Sequence, residues 1–260
     1  MATFPDNHID LTVTSPPYDN LRDYNGYDFN FEGIANQLYR ITKQGGVLVW
    51  VVGDETKNFC ESLNSFKQAI YFVENCGFNL LDTMIYKKVN YAPAYPNMKR
   101  YAQNFEYMFV LTKGKPKVFN PIRVDKKPST IARQQYKHVG GYRQKDGSFK
   151  KSETLSGGNV QKDACNVWEY VVGGNYTNDK YALKHPAVFP EKLANDHILS
   201  WSNDGDLILD PMCGSGTTCK MAMVNKRNYI GIDISEEYCA ITRRRIAEHE
   251  QQQTLFEGVQ

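Results

Sequence analysis

Near the C-terminal end of the sequence, an apolar run that ends in an acid, Leu207 to Asp210, leads directly into the glycine-rich stretch Pro211 to Thr218. The apolar run predicts a buried strand, and Gly214 and Gly216 predict a tight turn that opens a helix. The first turn of such a helix offers backbone N–H groups to a ligand. No lysine directly follows the glycines, so the turn lacks the pattern of a phosphate-binding P-loop.

A second predicted strand, Tyr229 to Asp233, follows this helix and also ends in a carboxylate. An acid at the tip of the next strand, about 20 residues after a glycine-rich turn, is the arrangement that holds ribose hydroxyls. We therefore predict an α/β protein whose C-terminal part binds an adenosine-containing cofactor without needing its phosphates. A glycine-rich turn beside an unrelated aspartate is the alternative, and the spacing disfavours it.

The stretch Thr14-Ser15-Pro16-Pro17-Tyr18 follows the alternating run Ile9 to Val13, which predicts a strand. Neither proline has an N–H group and both fix φ, so the strand must end there. Ser15 and Tyr18 are then displayed at the carboxyl edge of the sheet, where open α/β sheets bind ligands. Taken alone, the stretch is also compatible with a simple strand terminator followed by an exposed tyrosine.

Together, the early motif TSPPY and the late motif DPMCGSGTT resemble those of DNA amino-methyltransferases, in the permuted order in which the catalytic motif precedes the cofactor motif. The likeness covers most of the chain and includes Asp82 to Tyr86, Phe105 to Leu111 and His185-Pro186. The resemblance implies a Rossmann-like, S-adenosylmethionine-dependent methyltransferase fold. Such a fold has a mostly parallel, doubly wound sheet, an antiparallel edge hairpin and a basic target-recognition insertion.

The resemblance also implies which residues carry the chemistry. The catalytic residues would be Ser15, Pro16, Pro17 and Tyr18. The cofactor would be held by Asp210, Pro211, Cys213, Gly214, Ser215, Gly216, Thr217, Asp233 and Phe189. The Ser15 hydroxyl and the Pro16 carbonyl would hold the N–H groups of an exocyclic amine, and Tyr18 would stack on the flipped base.

The target base is predicted from two short patterns that disagree. Ser15 in the first motif position is the commoner pattern for cytosine N4. The segments Asp19 to Arg22 and Asp82 to Tyr86 resemble solitary methyltransferases that act on adenine as homodimers. We favour adenine N6, with cytosine N4 as the alternative. Methylation at cytosine C5 would need a cysteine nucleophile, and the catalytic loop has none.

Two other classes of function compete with this one. The first is a non-catalytic module that has a methyltransferase-like fold and binds DNA. The presence of Ser15, Tyr18, Gly214 and Gly216 in the two motifs argues against this class. The second is a methyltransferase that acts on RNA or protein; the basic composition described next favours nucleic acid over protein.

The segment from Lys113 to Lys151 contains 12 lysines and arginines but only two acids, although the whole chain has a net charge of +2. Aromatic residues are interleaved with these charges, which favours phosphate contact and base stacking on double-stranded DNA over simple solvation. The residues that we expect to contact DNA are Asn20, Arg22, Lys126, Lys127, Arg133, Lys137, Arg143 and Lys145.

For the 260 residues we predict a catalytic half at residues 1–112, a target-recognition insertion at 113–181, a cofactor half at 182–250 and a flexible tail at 251–260. Helical spacing predicts a first helix from Phe31 that ends at Gly45-Gly46, and a last helix that runs from a Ser235 cap through Glu248.

The six cysteines form no C-x-x-C pair, so we expect reduced thiols and no metal site. No apolar run is long enough to span a bilayer, and reduced thiols favour a cytoplasmic protein. The resemblance implies a protein of a prokaryote or phage in a restriction-modification setting.

The tail carries a pattern that could serve a partner. Gln252, Leu255 and Phe256 resemble the short peptides that dock on the sliding clamp of DNA polymerase. The alternatives are a disordered end, or a strand that replaces one which family members usually have before Ile9. We therefore expect double-stranded DNA as substrate, a sliding clamp as a candidate partner and a homodimer as a candidate assembly.

Overall fold

The computed structural model describes residues 1–17, 29–92, 99–128, 138–154, 160–172 and 190–257. The helices in this part are α1 (Phe31–Ile41), α2 (Asn64–Tyr71), which continues as one π-helical turn (Phe72–Cys76), α3 (Glu191–Trp201), α4 (Thr217–Val224) and α5 (Glu236–Glu257). The strands are β1 (Ile9–Thr14), β2 (Thr42–Val52), β3 (Thr56–Lys57), β4 (Cys60–Glu61), β5 (Asn79–Lys88), β6 (Phe105–Thr112), β7 (Arg123–Asp125), β8 (His138–Arg143), β9 (Phe149–Thr154), β10 (Gln161–Asp163), β11 (Val167–Tyr170), β12 (Leu207–Asp210) and β13 (Asn228–Gly231).

The chain divides into two compact units. The larger unit consists of Met1–Asn120 and Asn166–Gln260, and it contains a seven-stranded sheet in the order β11-β5-β6-β2-β1-β12-β13. All neighbouring strands in this sheet are parallel except at β6, which is antiparallel to both β2 and β5. The predicted α/β fold, with a mostly parallel sheet that contains an antiparallel hairpin, is therefore confirmed. We expected this hairpin at the edge of the sheet, but β11 pairs with β5 and forms the edge instead.

Helices cover both faces of this sheet. On one face, Val47, Val49 and Val51 of β2 pack in a cluster with residues of α3 and α4. On the other face, Leu48 and Trp50 of the same strand pack with residues of α1. Because successive side chains of a strand point to opposite faces, a strand covered on both sides must be apolar throughout. This is why Val47 to Val52 is a continuous apolar run, and the sheet is doubly wound as expected.

Helix α1 ends at Ile41, earlier than the predicted stop at Gly45-Gly46. The next residue, Thr42, already pairs with Ile9 as part of β2, and its hydroxyl donates a 2.6 Å hydrogen bond to the Leu38 carbonyl. Gly45 instead has a φ of 82° and donates its N–H to the Lys113 carbonyl. The prediction of the helix end was wrong because pairing with β1 ends the helix before the glycines do.

The smaller unit, Pro121–Cys165, contains the antiparallel pairs β7–β10 and β8–β9. It lies within the insertion that we predicted at residues 113–181, in which the basic run Lys113 to Lys151 forms the first part. Lys113 belongs to the larger unit, where its ammonium donates to the Thr42 carbonyl at 3.0 Å. Strand β11 also belongs there, because it pairs with β5. Strand pairing, rather than the run of basic residues, sets the limits of this unit.

The C-terminal helix α5 continues to Glu257, past the predicted end at Glu248. The backbone of residues 251–257, which we expected in a flexible tail or an additional strand, is helical. Ser235 caps the helix as predicted, since its hydroxyl accepts the Tyr238 N–H at 3.4 Å. Among the described residues, β13 pairs only with β12. None of the helices described is long and apolar enough to cross a membrane.

Candidate active site at the carboxyl edge of the sheet

Three adjacent parallel strands end at the same edge of the sheet. Leu11 of β1 pairs with Ile208 of β12, and Asp210 of β12 pairs with Gly231 of β13. The segments that follow these strands therefore meet at one place. The structure thus brings the Ser15-Pro16-Pro17 motif, the glycine-rich turn and Asp233 to one edge of the sheet. Tyr18 and Phe189 lie outside the described residues.

The Ser15-Pro16-Pro17 motif begins where strand pairing stops. Thr14 is the last residue of β1 and pairs with Trp50, and Ser15 follows at once. Pro16 is buried, whereas Ser15 and Pro17 are half-buried. The two prolines end the strand as expected, because they cannot donate to the ladder.

The glycine-rich turn depends on two left-handed residues. Gly214 has a φ of 50° and Gly216 has a φ of 77°, a region that side chains disfavour. A Cβ atom added to Gly216 would also lie 2.4 Å from Cγ2 of Thr242 on α5. Gly216 is therefore required for its backbone conformation and for the close packing of α5 on the turn.

Asp233 is held beside the turn by backbone donors. One carboxylate oxygen accepts the Gly214 N–H at 2.8 Å, and the other accepts the Ser235 N–H at 2.9 Å. The side chain is half-buried, so it is oriented before any ligand arrives. Each oxygen keeps a second lone pair for a hydroxyl donor. This geometry suits the predicted contact with a ribose.

Asp210 links the glycine-rich turn to the end of β1. It is 6% exposed, and Oδ1 accepts the Thr14 hydroxyl at 2.7 Å and the Met212 N–H at 3.2 Å. Burial raises the pKa of Asp210 to about 6, although hydrogen bonds from Thr14, Thr218 and Met212 oppose the shift. Sequence reasoning missed Thr14, whose one signal is a hydroxyl at the end of a buried strand.

The other residues predicted to bind the cofactor have buried side chains, so mainly their backbone groups could contact a ligand. Pro211, Cys213, Ser215 and Thr217 are buried. The Cys213 side chain packs with Cys219 and Ile246 in a small cluster beneath the turn. The Cys213 N–H is donated to the Ile232 carbonyl at 2.8 Å. A ligand would therefore meet the peptide groups of this turn rather than its side chains.

Sequence reasoning also missed three side chains that support the turn. Thr242 donates to the Gly214 carbonyl at 3.0 Å, and Arg245 donates to the Ser215 carbonyl. Glu191 at the start of α3 accepts from Arg245 at 2.9 Å. The only available signal was helical spacing, which puts residues 242 and 245 on the same face of α5.

The predicted DNA-binding residues fall partly in the smaller unit. Lys127, Arg143 and Lys145 are exposed there, and Lys126 is half-buried. Asn20, Arg22, Arg133 and Lys137 lie outside the described residues. Within the part of the chain that is described, no group of three or more His, Cys, Asp or Glu side chains could hold a metal ion.

Residues 9–244 match the DNA methylase family of N6/N4 methyltransferases. The chain belongs to this family. The orphan methyltransferase M.BamHII of Bacillus amyloliquefaciens is 54% identical over 92% of this chain and 88% of that protein. The type II methyltransferase M.BglII of Bacillus subtilis is 29% identical over 93% of this chain, which spans 64% of the length of M.BglII.

Solved structures show the same fold as this DNA methylase. The PvuII DNA methyltransferase, described as cytosine-N4-specific, has a TM-score of 0.66 and 18% identity, over 93% of this chain and 80% of that one. TTHA0409, a DNA modification methylase from Thermus thermophilus complexed with S-adenosyl-L-methionine, has a TM-score of 0.60 and 22% identity, over 95% of this chain and 88% of that one.

The buried carboxyl of Asp210 predicts a pH dependence of stability. Because its folded pKa of about 6 is above the ordinary value of 3.8, the native state binds more protons than the unfolded state between these values. The free energy of unfolding should therefore fall by about 3 kcal/mol as the pH rises from about 4 to 6. Asp210→Asn should remove this decrease in urea unfolding measured across that range.

A suitable control is Glu74→Gln, which changes an exposed carboxylate on the π-helical turn and should keep the wild-type slope. An Asp210→Asn variant with the same slope as the wild type would show that Asp210 titrates normally.

Proposed function

We propose that this DNA methylase transfers a methyl group from S-adenosylmethionine to the exocyclic amine of a base flipped out of duplex DNA. The observation that carries the proposal is the meeting of two motifs at one sheet edge. The Ser15-Pro16-Pro17 exit follows β1, the glycine-rich turn follows the adjacent β12, and the Thr14–Asp210 hydrogen bond joins them.

The residues at this edge fit the cofactor. Gly214 and Gly216 allow a ligand close to the backbone, and the first turn of α4 presents N–H groups. Two backbone donors orient the Asp233 carboxylate, which supports its proposed role in binding the ribose hydroxyls. When bound, S-adenosylmethionine supplies an electrophilic methyl group on a sulfonium. Two carboxylates, Asp210 and Asp233, lie at this edge, which suits a ligand with a positive charge.

The exocyclic amine of adenine or cytosine is a weak nucleophile, because its lone pair is conjugated into the ring. In our proposal, the Ser15 hydroxyl and the Pro16 carbonyl accept its N–H groups and so orient the lone pair. Tyr18 offers a flat face to the flipped base. The rate then comes from orientation and from dipoles fixed in advance, and the enzyme forms no bond to the base. Asp210 is already engaged with Thr14 and Met212, so it serves as a support rather than a base.

Two target amines fit this scheme. The resemblance of Asp19 to Arg22 and Asp82 to Tyr86 to solitary adenine methyltransferases supports adenine N6. Ser15 in the first motif position supports cytosine N4. The PvuII enzyme, which shares the fold, is described as cytosine-N4-specific. Mass spectrometry of nucleosides from DNA of cells that express the protein decides between N6-methyladenine and N4-methylcytosine.

Replacing Ser15 should separate catalysis from cofactor binding. We expect Ser15→Ala to lower kcat by about 100-fold or more, the usual cost of losing a positioned transition-state contact. Its affinity for S-adenosylmethionine, measured by calorimetry, should stay close to that of the wild type. Ser200→Ala is a matched control, because it removes a buried hydroxyl bonded within α3, to the Asp196 carbonyl. Normal turnover by Ser15→Ala would exclude Ser15 from the catalytic site.

We also propose that the smaller unit binds the DNA duplex. Strands β8 and β9 form a two-stranded ribbon, a shape that fits the major groove. Its turn is held by Asp146, which accepts the Ser148 N–H at 2.9 Å and the Ser148 hydroxyl at 2.6 Å. Arg143 and Phe149, which is 63% exposed, form the last pair before this turn. A basic, pre-ordered ribbon with an exposed aromatic ring supports contact with phosphates and bases.

Removing these charges should reduce the salt dependence of DNA binding. Gln substitutions at Lys127, Arg143 and Lys145 should each flatten the slope of log K against log salt by about 0.9 per lost phosphate contact. Fluorescence anisotropy over a salt series measures this slope. Lys67→Gln, which neutralises an exposed lysine on α2, should leave it unchanged. If a variant that carries all three Gln substitutions had the wild-type slope, these charges would not contact DNA.

We also propose two protein partners, a sliding clamp and a second copy of this chain. The resemblance of Gln252, Leu255 and Phe256 to clamp-docking peptides supports binding to a sliding clamp. The full chain should then bind the host clamp with micromolar affinity, about −8 kcal/mol. The double variant Leu255→Ala, Phe256→Ala should lose this binding in surface plasmon resonance, and a wild-type chain that does not bind would end the proposal. Analytical ultracentrifugation tests the proposed homodimer.

A further inference from the structure

The carbonyl groups of the cofactor turn are satisfied by side chains of α5. Gly214 and Ser215 are buried, and a buried carbonyl needs a hydrogen-bond donor. The Thr242 hydroxyl donates to the Gly214 carbonyl at 3.0 Å, and the Arg245 guanidinium donates to the Ser215 carbonyl. The two donors are one helical turn apart, so a single face of α5 holds two consecutive peptide groups.

Fixing these carbonyls also fixes the N–H groups of the turn. In a planar trans peptide, the C=O and the following N–H point in opposite directions. With the Gly214 carbonyl held toward Thr242, the Ser215 N–H must point away from α5. With the Ser215 carbonyl held toward Arg245, the Gly216 N–H is directed to the Cys213 carbonyl, which it reaches at 2.7 Å. The contact from Thr242 therefore sets the direction of the Ser215 N–H, the donor that a ligand at the turn would meet.

Arg245 differs from the two arginines beside it. Its side chain is 0% exposed, whereas those of Arg243 and Arg244 are 66% and 62% exposed. A guanidinium buried in this way needs a partner of opposite charge, which Glu191 provides at 2.9 Å. The same Glu191 oxygen accepts from Lys220 at 2.8 Å, so α3, α4 and α5 meet at one carboxylate. This network locks Arg245 in the orientation that reaches the turn.

We propose that Thr242 and Arg245 are positioning residues, which preset the glycine-rich turn for S-adenosylmethionine and thereby set the affinity for the cofactor. The proposal rests on the proposed function, because it assumes that this turn binds that cofactor. In this proposal, neither Thr242 nor Arg245 contacts the DNA base that receives the methyl group. Their loss should therefore raise the dissociation constant and the KM for S-adenosylmethionine, while kcat at saturating cofactor changes little.

The most direct test replaces the hydroxyl of Thr242. Thr242→Val keeps the shape of the side chain but removes the donor to the Gly214 carbonyl, so its dissociation constant should rise about tenfold in calorimetry. Thr242→Ser keeps the donor and should bind S-adenosylmethionine nearly as the wild type does. Arg245→Lys keeps the charge but loses the fork that spans Ser215 and Glu191, and it should weaken binding at least as much.

A second buried arginine separates positioning from general stability. The Arg227 side chain is 7% exposed and donates to the Ser202 carbonyl at 2.7 Å, in the loop that follows α3. Arg227→Lys should lower the melting temperature without changing the affinity for S-adenosylmethionine. If Thr242→Val bound the cofactor as tightly as Thr242→Ser, the proposal would be wrong. An equal loss of affinity in Arg227→Lys and Arg245→Lys would also overturn it.

These outcomes differ from a failure of the proposed function. If the folded wild-type protein did not bind S-adenosylmethionine, the function and this inference would fall together. If the wild type bound it and all variants bound it equally, only the positioning role would be refuted. Should Arg245→Lys not fold, the comparison of the two Thr242 variants still decides.

Discussion

The hydrogen bond from Thr14 to Asp210 joins residues that are 196 positions apart in the chain. It connects the end of the strand that carries Ser15 to the start of the turn that would hold the cofactor. A buried carboxylate is costly unless hydrogen bonds satisfy it, and here the hydroxyl of one motif satisfies the acid of the other. The relative position of the two motifs is thus fixed by a contact that both need.

The rest of the site is built outward from this contact. Asp210 also accepts the Met212 N–H, and this hydrogen bond orients the backbone of the turn where it follows β12. Asp233 then holds Gly214 from the side of β13, and Arg245 holds Ser215 from the side of α5. Methyl transfer of the proposed kind depends on orientation more than on acid–base chemistry. A turn that is held from three sides before the ligand arrives suits that requirement.

Sequence patterns predicted the elements whose signals are local. The end of β1 at Pro16-Pro17 was predictable because proline has no N–H to donate to a neighbouring strand. The turn at Gly214 and Gly216 was predictable because glycine readily adopts positive φ. The apolar run from Val47 to Val52 identified a strand covered on both faces. The end of α1 was mispredicted because the competing contact, between Thr42 and Ile9, is distant in sequence. In the same way, β11 belongs to the larger unit because it pairs with β5, a strand that is distant in sequence.

The three consecutive arginines of α5 show why the support of the site could not be predicted. Nothing local distinguishes Arg245 from Arg243 and Arg244, yet only Arg245 is fully buried. The difference arises because 3.6 residues per turn place each arginine on a different face, and only one of these faces the turn. On that face, Arg245 forms an ion pair with Glu191, which is 54 positions away in the sequence. The Glu191 carboxylate compensates the cost of burying the guanidinium charge. A substitution at Glu191 should therefore act on the glycine-rich turn through Arg245, although Glu191 makes no direct contact with the turn among the hydrogen bonds of the described residues.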